Sequence, residues 1–210
     1  MISAIEALER LRAGNRRFVS GTPARGGPAA AARRRELVEG QAPFAVVLGC
    51  SDSRAPVEIV FDQDLGDLFV IRVAGNIVAA SQVGSVEFAA ERFGTRLVVV
   101  LGHSRCGAVR ATLEELERPS GAGSPGLRFI VDRIRPVVQG LLAARPALDP
   151  EELARRAVRA NVIASADHLR HGSEILERLI RDEGLLVVGA EYALETGEVD
   201  FFDGVPASRG

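Results

Sequence analysis

The chain has no lysine and no tryptophan, and its 210 residues include only one tyrosine, one methionine and two cysteines. Each scarcity excludes something. Without lysine there is no phosphate-binding loop ending in G-K-[ST]. The scattered glycines of "VAGNIVAASQVG" (73–84) do not form G-x-G-x-x-G either, so a nucleotide-binding module is poorly supported. All 26 basic residues are arginine, and against 28 acidic ones they leave a formal charge of −2, which gives no reason to expect nucleic acid or an anionic membrane as partner. The "RRR" at 33–35 reads as a solvated helix face. No apolar run reaches the ~20 residues that span a bilayer, and "MISAIEALERLRAGNRRF" lacks a signal peptide's apolar core, so a cytoplasmic location is expected. In that compartment two cysteines are expected as reduced thiols or metal ligands and not as a disulfide.

A hydrophobic content of 47% beside 26% charged residues describes a globular chain of a length suited to one domain. Residues 3–18 carry Ile5, Leu8, Leu11 and Phe18 on a helical stripe, opened by Ser3 as N-cap. A Gly/Pro/Ala-rich loop follows, then a short helix over 30–39. These first forty residues have no core of their own and read as a helical arm (1–40) that packs on the domain or on a second subunit.

From residue 41 to 210 the pattern is that of one α/β domain. "FAVVLG" (44–49), "LFVIRV" (68–73), "LVVVLG" (97–102) and "LLVVGAEY" (185–192) are continuous apolar runs suited to strands buried on both faces. Helical stretches are expected over 82–93, 106–117, 126–144 and 150–182, with a surface loop at "RPSGAGSPG" (118–126). The expected fold is a mostly parallel four-stranded sheet with helices on both faces. "ETGEVDFF" turns back as an added edge strand. Functional residues then belong beyond the carboxyl ends of the strands.

Two of those ends carry chemistry. "GCSDSRAP" (49–56) follows the first strand, and "GHSRCGAV" (102–109) follows the third. Neighbouring parallel strands would bring Cys50, His103 and Cys106 to one crevice, although Cys50 lies too far from His103 in sequence for a compact zinc knuckle. Two thiolates and an imidazole suit Zn²⁺ better than Mg²⁺ or Ca²⁺, and three protein ligands leave a fourth position open for water. Two strand-terminal thiols and a buried histidine in ordinary packing would account for the same three residues. Packing alone does not account for Asp52 and Arg54, charges that are costly near a core unless they pair or meet a cation.

"CSDSR" (50–54) with "GHSRCGA" (102–108) closely resembles the signature pair of the β-class carbonic anhydrases. "DLFVIRVAGN" (67–76) and "GSVEFAAERFGT" (84–95) are also similar to that family. The resemblance implies a zinc enzyme, one Zn²⁺ per chain, that interconverts CO₂ and bicarbonate as a homodimer or homotetramer. Cys50, His103 and Cys106 would be the metal ligands. Asp52 and Arg54 would be the catalytic pair, with Asp52 either an exchangeable fourth ligand or turned away onto Arg54. Gln63, Phe61, Phe88 and Gly107 stand where the family has its substrate pocket, the two phenylalanines possible neighbours of a subunit boundary. Arg72 and Tyr192 match two parts of a regulatory bicarbonate site found in one subgroup. Val47 stands where that subgroup has its tryptophan, so the regulatory site is expected to be weak or absent and the metal site open at neutral pH. Two rival functions share the same motifs: a hydrolase of carbonyl sulfide or carbon disulfide, and a non-catalytic zinc or redox-sensing protein. His168 and His171, with Asp167 and Glu174 nearby, have metal-binding spacing but read as a solvated helix face.

Overall fold

The computed structural model describes residues 2–24, 29–119, 124–143 and 149–207. The centre of the stretch read as a surface loop at 118–126, and part of the Gly/Pro/Ala-rich loop, lie outside the described residues. Helix α1 (Ala4–Val19) is closed at its start by a capping box in which Ser3 and Glu6 bond each other's backbone N–H. It is followed by α2 (Ala29–Glu36). The domain proper then runs β1 (Ala45–Gly49), α3 (Val57–Val60), β2 (Leu68–Arg72), α4 (Ala80–Arg92), β3 (Leu97–His103) and α5 (Gly107–Glu117). It continues with α6 (Pro125–Ala143), α7 (Pro150–His171), α8 (Glu174–Glu183), β4 (Leu186–Tyr192) and β5 (Val199–Asp203).

The five strands form one sheet in the order β2-β1-β3-β4-β5, parallel throughout except for β5, which returns antiparallel to β4. Every residue of β1 and β3 is buried, as their unbroken apolar runs require. On one face Val47, Val99, Leu101 and Val188 meet Leu8 and Leu11 of α1 and Val57, Val60 and Phe61 from the α3 segment. On the other, Val46, Leu48, Val98 and Val100 meet α4, α7 and α8. The N-terminal arm thus covers the sheet of its own chain, since the Leu8 and Leu11 stripe supplies the apolar face that this side of the sheet lacks.

The helix expected over 150–182 is two helices. α7 ends at His171, Gly172 follows, and the Ser173 side chain caps a new helix by accepting from the Leu176 N–H at 3.2 Å. The apolar spacing continues through Leu169, Leu176 and Leu179, which hides the break from periodicity. Two further turns, α3 and the 3-10 turn Ala74–Asn76, are too short to carry an apolar period.

Candidate metal centre

β1 and β3 are hydrogen-bonded neighbours with Gly49 level with Leu101, so Cys50 leaves the sheet beside His103. Cys106 follows one tight turn later, at the N-cap of α5. The Cys50 and Cys106 sulfurs are 4.0 Å apart, and all three ligand atoms lie within 4.8 Å of one another. A tetrahedral ion with ~2.3 Å sulfur bonds would set the sulfurs about 3.8 Å apart, whereas a disulfide needs ~2.05 Å. The spacing therefore fits two ligands of one cation. His103 is 1% exposed; its Nδ1 donates to the Ser104 carbonyl at 2.9 Å, while Nε2 has no hydrogen-bond partner. A buried imidazole with one nitrogen anchored and the other bare is the arrangement a metal ligand requires.

The electrostatics point the same way. The Cys106 thiol hydrogen-bonds to Cys50, which pulls Cys50 far below the ordinary thiol value and holds Cys106 above it. Burial opposes charge on His103, yet the attraction of the neighbouring Cys50 sulfur and the Ser104 carbonyl raise it overall. Two buried sulfurs and an imidazole nitrogen are the soft donor set that suits zinc, and their thiol protons would leave on metal binding.

Backbone donors and an arginine hold the first loop. Gly75 N–H donates to the Cys50 sulfur at 3.3 Å from the Ala74–Asn76 turn. Gly75 sits at φ +69°, and a Cβ there would meet Ile134 at 2.9 Å and Ala108 at 3.0 Å, so the turn requires glycine. Arg72 donates from Nε to the Cys50 carbonyl at 3.0 Å and from Nη2 to the Asp52 carbonyl at 2.6 Å. The role of Arg72 here is a staple across the ligand loop, which the spacing of the sequence did not reveal. In the sequence the only sign of this turn is the glycine itself within "DLFVIRVAGN", whose positive φ the fold alone reveals.

Asp52 and Arg54 face each other. Arg54 Nε and Nη2 donate to the two carboxylate oxygens at 2.9 and 2.8 Å, and the Arg54 N–H adds a third bond at 2.9 Å. These hydrogen bonds hold the Asp52 carboxyl well below the usual carboxylate range. Asp52 Oδ2 still lies only 3.8 Å from the bare His103 Nε2, at the edge of the cluster.

The other marked residues divide. Gly107 opens α5 next to Cys106, with no atom within 4 Å of where its Cβ would stand. Tyr192 lies level with His103 on β4, buried, its ring 6.4 Å from Phe18. Phe61 is fully buried, its ring 6.1 Å from Phe201. Gln63 is buried too; it donates to the Phe61 carbonyl at 2.6 Å and accepts from Arg10 at 3.1 Å. Phe88 is 53% exposed on α4, against Phe69 and Phe93. The contacts of Phe61, Gln63 and Phe88 within one chain are therefore made away from the ligand cluster. His171 Nδ1 pairs with the Asp167 carbonyl at 3.0 Å. Among the described residues, Cys50, His103 and Cys106 are the one group placed to hold a metal.

The comparisons with known proteins agree with one another. A family model described as carbonic anhydrase matches residues 45–199. Carbonic anhydrase 2 of Mycobacterium tuberculosis is 40% identical over 195 residues, covering 92% of this chain and 90% of that protein. The crystal structure of a β-carbonic anhydrase from Aspergillus fumigatus superposes with a TM-score of 0.74 at 24% identity, covering 93% of this chain and 90% of that one. A structure from Sordaria macrospora, described as one of two tetrameric β-carbonic anhydrases, gives a TM-score of 0.72 at 24% identity, with 94% and 97% covered.

Proposed function

As the chain belongs to the β-class carbonic anhydrases, whose reaction is the reversible hydration of CO₂ to bicarbonate and a proton, we propose that it performs this reaction with one zinc ion per chain held by Cys50, His103 and Cys106. The carrying observation is the convergence of two sulfurs and a bare, buried imidazole nitrogen within 4.8 Å, at the ends of adjacent strands of this fold. When bound, the zinc supplies Lewis acidity that makes a water nucleophilic near neutral pH.

The protein's own groups do the rest. The Ser104 carbonyl fixes the His103 ring, so that Nε2 alone faces the ligand cluster. Cys50 and Cys106 as thiolates, with a neutral His103, would offset the charge of the ion they held, so hydration is expected to rise with pH. Arg54 holds Asp52 ionised and turned to the side, so that Cys50, His103 and Cys106 alone would hold the ion and water could reach it. From there the Asp52 carboxylate accepts a hydrogen bond from the nucleophilic water and aims it at CO₂.

The surroundings of the site belong to the same proposal. Phe61, Gln63 and Phe88 serve the substrate pocket in an assembled homodimer or homotetramer, a reading supported by the half-exposed Phe88. Arg72 directs its Nε and Nη2 donors at backbone carbonyls, and Val47 is an interior residue of β1, which supports a weak or absent regulatory bicarbonate site. No helix among the described residues is long and apolar enough to cross a membrane. Two free cysteines fit action in the cytoplasm.

The test is zinc content together with initial rates on CO₂ and on carbonyl sulfide. About one zinc per chain, with CO₂ the faster substrate, supports the proposal. Full zinc with carbonyl sulfide the preferred substrate, or with neither turned over, would overturn it.

A further inference from the structure

The loop between β4 and β5 reaches back to the turn that carries His103. Glu195, on that loop, accepts from Ser104 Oγ at 2.8 Å with one carboxylate oxygen and from Arg105 Nε at 2.8 Å with the other. Ser104 Oγ in turn accepts from the Leu194 N–H at 2.9 Å, and the Ser104 N–H donates to the Tyr192 carbonyl at 2.9 Å. The loop is itself anchored. Asn15 of α1 donates to the Gly197 carbonyl and accepts from the Val199 N–H, both at 2.9 Å.

What this clamp holds is strained and faces the site. Arg105 has φ +56°, a left-handed conformation that a residue with a side chain keeps only when its surroundings impose it. The two carbonyls of the clamped turn point at functional groups. Ser104 O accepts from His103 Nδ1 at 2.9 Å, and Arg105 O accepts from Arg54 Nη2 at 3.4 Å. An isolated exposed ion pair would contribute little. Here the bonds converge on two consecutive residues, one strained, whose carbonyls orient a metal ligand and the partner of Asp52.

We infer that Glu195 is a positioning residue for the metal centre, acting through Ser104 and Arg105 to set the direction of the His103 ring and the Arg54 guanidinium. The inference rests on the proposed zinc site and adds a residue that neither signature motif contains.

The test uses the zinc-loaded protein and its Glu195→Ala, Glu195→Gln, Ser104→Ala and Glu198→Ala variants. Glu198 lies in the same hairpin, and its carboxylate meets Thr196. Three quantities are read: zinc transfer to a chromophoric chelator, the visible absorption of the cobalt-substituted protein, and kcat and KM for CO₂. Glu195→Ala is expected to lose zinc about tenfold faster, within the range seen when a partner behind a metal-bound histidine is removed, with shifted cobalt bands and a lowered kcat/KM. Glu195→Gln, which keeps an acceptor for Ser104, falls between it and the wild type, and Glu198→Ala matches the wild type. Ser104→Ala reproduces the effect, and the double variant with Glu195→Ala adds little to either single change. Wild-type behaviour of Glu195→Ala in zinc release and cobalt spectrum would overturn the inference, as would an equal effect from Glu198→Ala. A wild type that neither holds zinc nor hydrates CO₂ would instead overturn the function on which the inference rests.

Discussion

Asp52 and Arg54 are two residues apart in a loop, and the short spacing is what lets the guanidinium meet both carboxylate oxygens. The pair sets a pH signature. Because the folded Asp52 value is depressed by Arg54, the pair's contribution to stability is fully present above the ordinary carboxylate range and is lost as pH falls through the folded value. In the metal-free protein, Arg54→Ala should move the Asp52 carboxyl titration upward, followed by carboxyl carbon NMR. The stabilities of variant and wild type should converge only in strong acid. An unmoved titration would show that something other than Arg54 holds the carboxylate. At this scale the sequence was legible where chemistry was local. Cys50, Asp52 and Arg54 fall within five positions, and His103 and Cys106 within four. Arg72 as a staple and Glu195 as a clamp were not legible, because their partners lie far away in sequence and only the sheet brings them together.

Elements place those residues. β1 and β3 were readable because strands buried on both faces have no polar alternation to disguise them, and their adjacency made one crevice from two motifs. The break between α7 and α8 was hidden because Ser173 restarts the helix on the same apolar stripe. The Ala74–Asn76 turn was hidden because a left-handed glycine has no pattern around it. That turn is exacting: Gly75→Ala adds a Cβ against Ile134 and Ala108 in a conformation that disfavours it. Overpacking of this kind costs about 1–3 kcal/mol. Denaturant unfolding should register the loss. Displacement of the Gly75 N–H from the Cys50 sulfur should also speed zinc release in the same variant. A variant with wild-type stability and zinc retention would contradict the packing described.

For the molecule as a whole, composition and patterning gave the α/β layering, but the arm's destination depended on a contact that no periodicity encodes. α1 approaches the α3 segment so closely that a Cβ at Gly14 would overlap the Phe61 carbonyl oxygen and crowd Gln63. Arg10 and Arg17 then pin the loop beyond, pairing with Asp67 at 2.9 Å and Asp62 at 2.6 Å. Gly14→Ala should lift α1 from this seat and expose the sheet face beneath Leu8 and Leu11. The expected result is faster proteolysis within residues 4–19 and faster amide exchange in β3. Unchanged protection would mean that α1 can shift without leaving the sheet.

The central claim is that Cys50, His103 and Cys106 hold the metal while Asp52, held by Arg54, directs the water toward CO₂. The most direct measurement is stopped-flow CO₂ hydration from neutral to alkaline pH, with zinc analysis of the same samples, for the wild type and Asp52→Asn. The account predicts a zinc-loaded wild type whose rate rises with pH. It also predicts a variant that keeps its zinc but is slower by about 10²-fold or more, the scale of a positioned proton-accepting group. Full activity in the zinc-loaded variant would contradict the role of Asp52, and a zinc-loaded wild type without hydration at any pH would contradict the assignment itself.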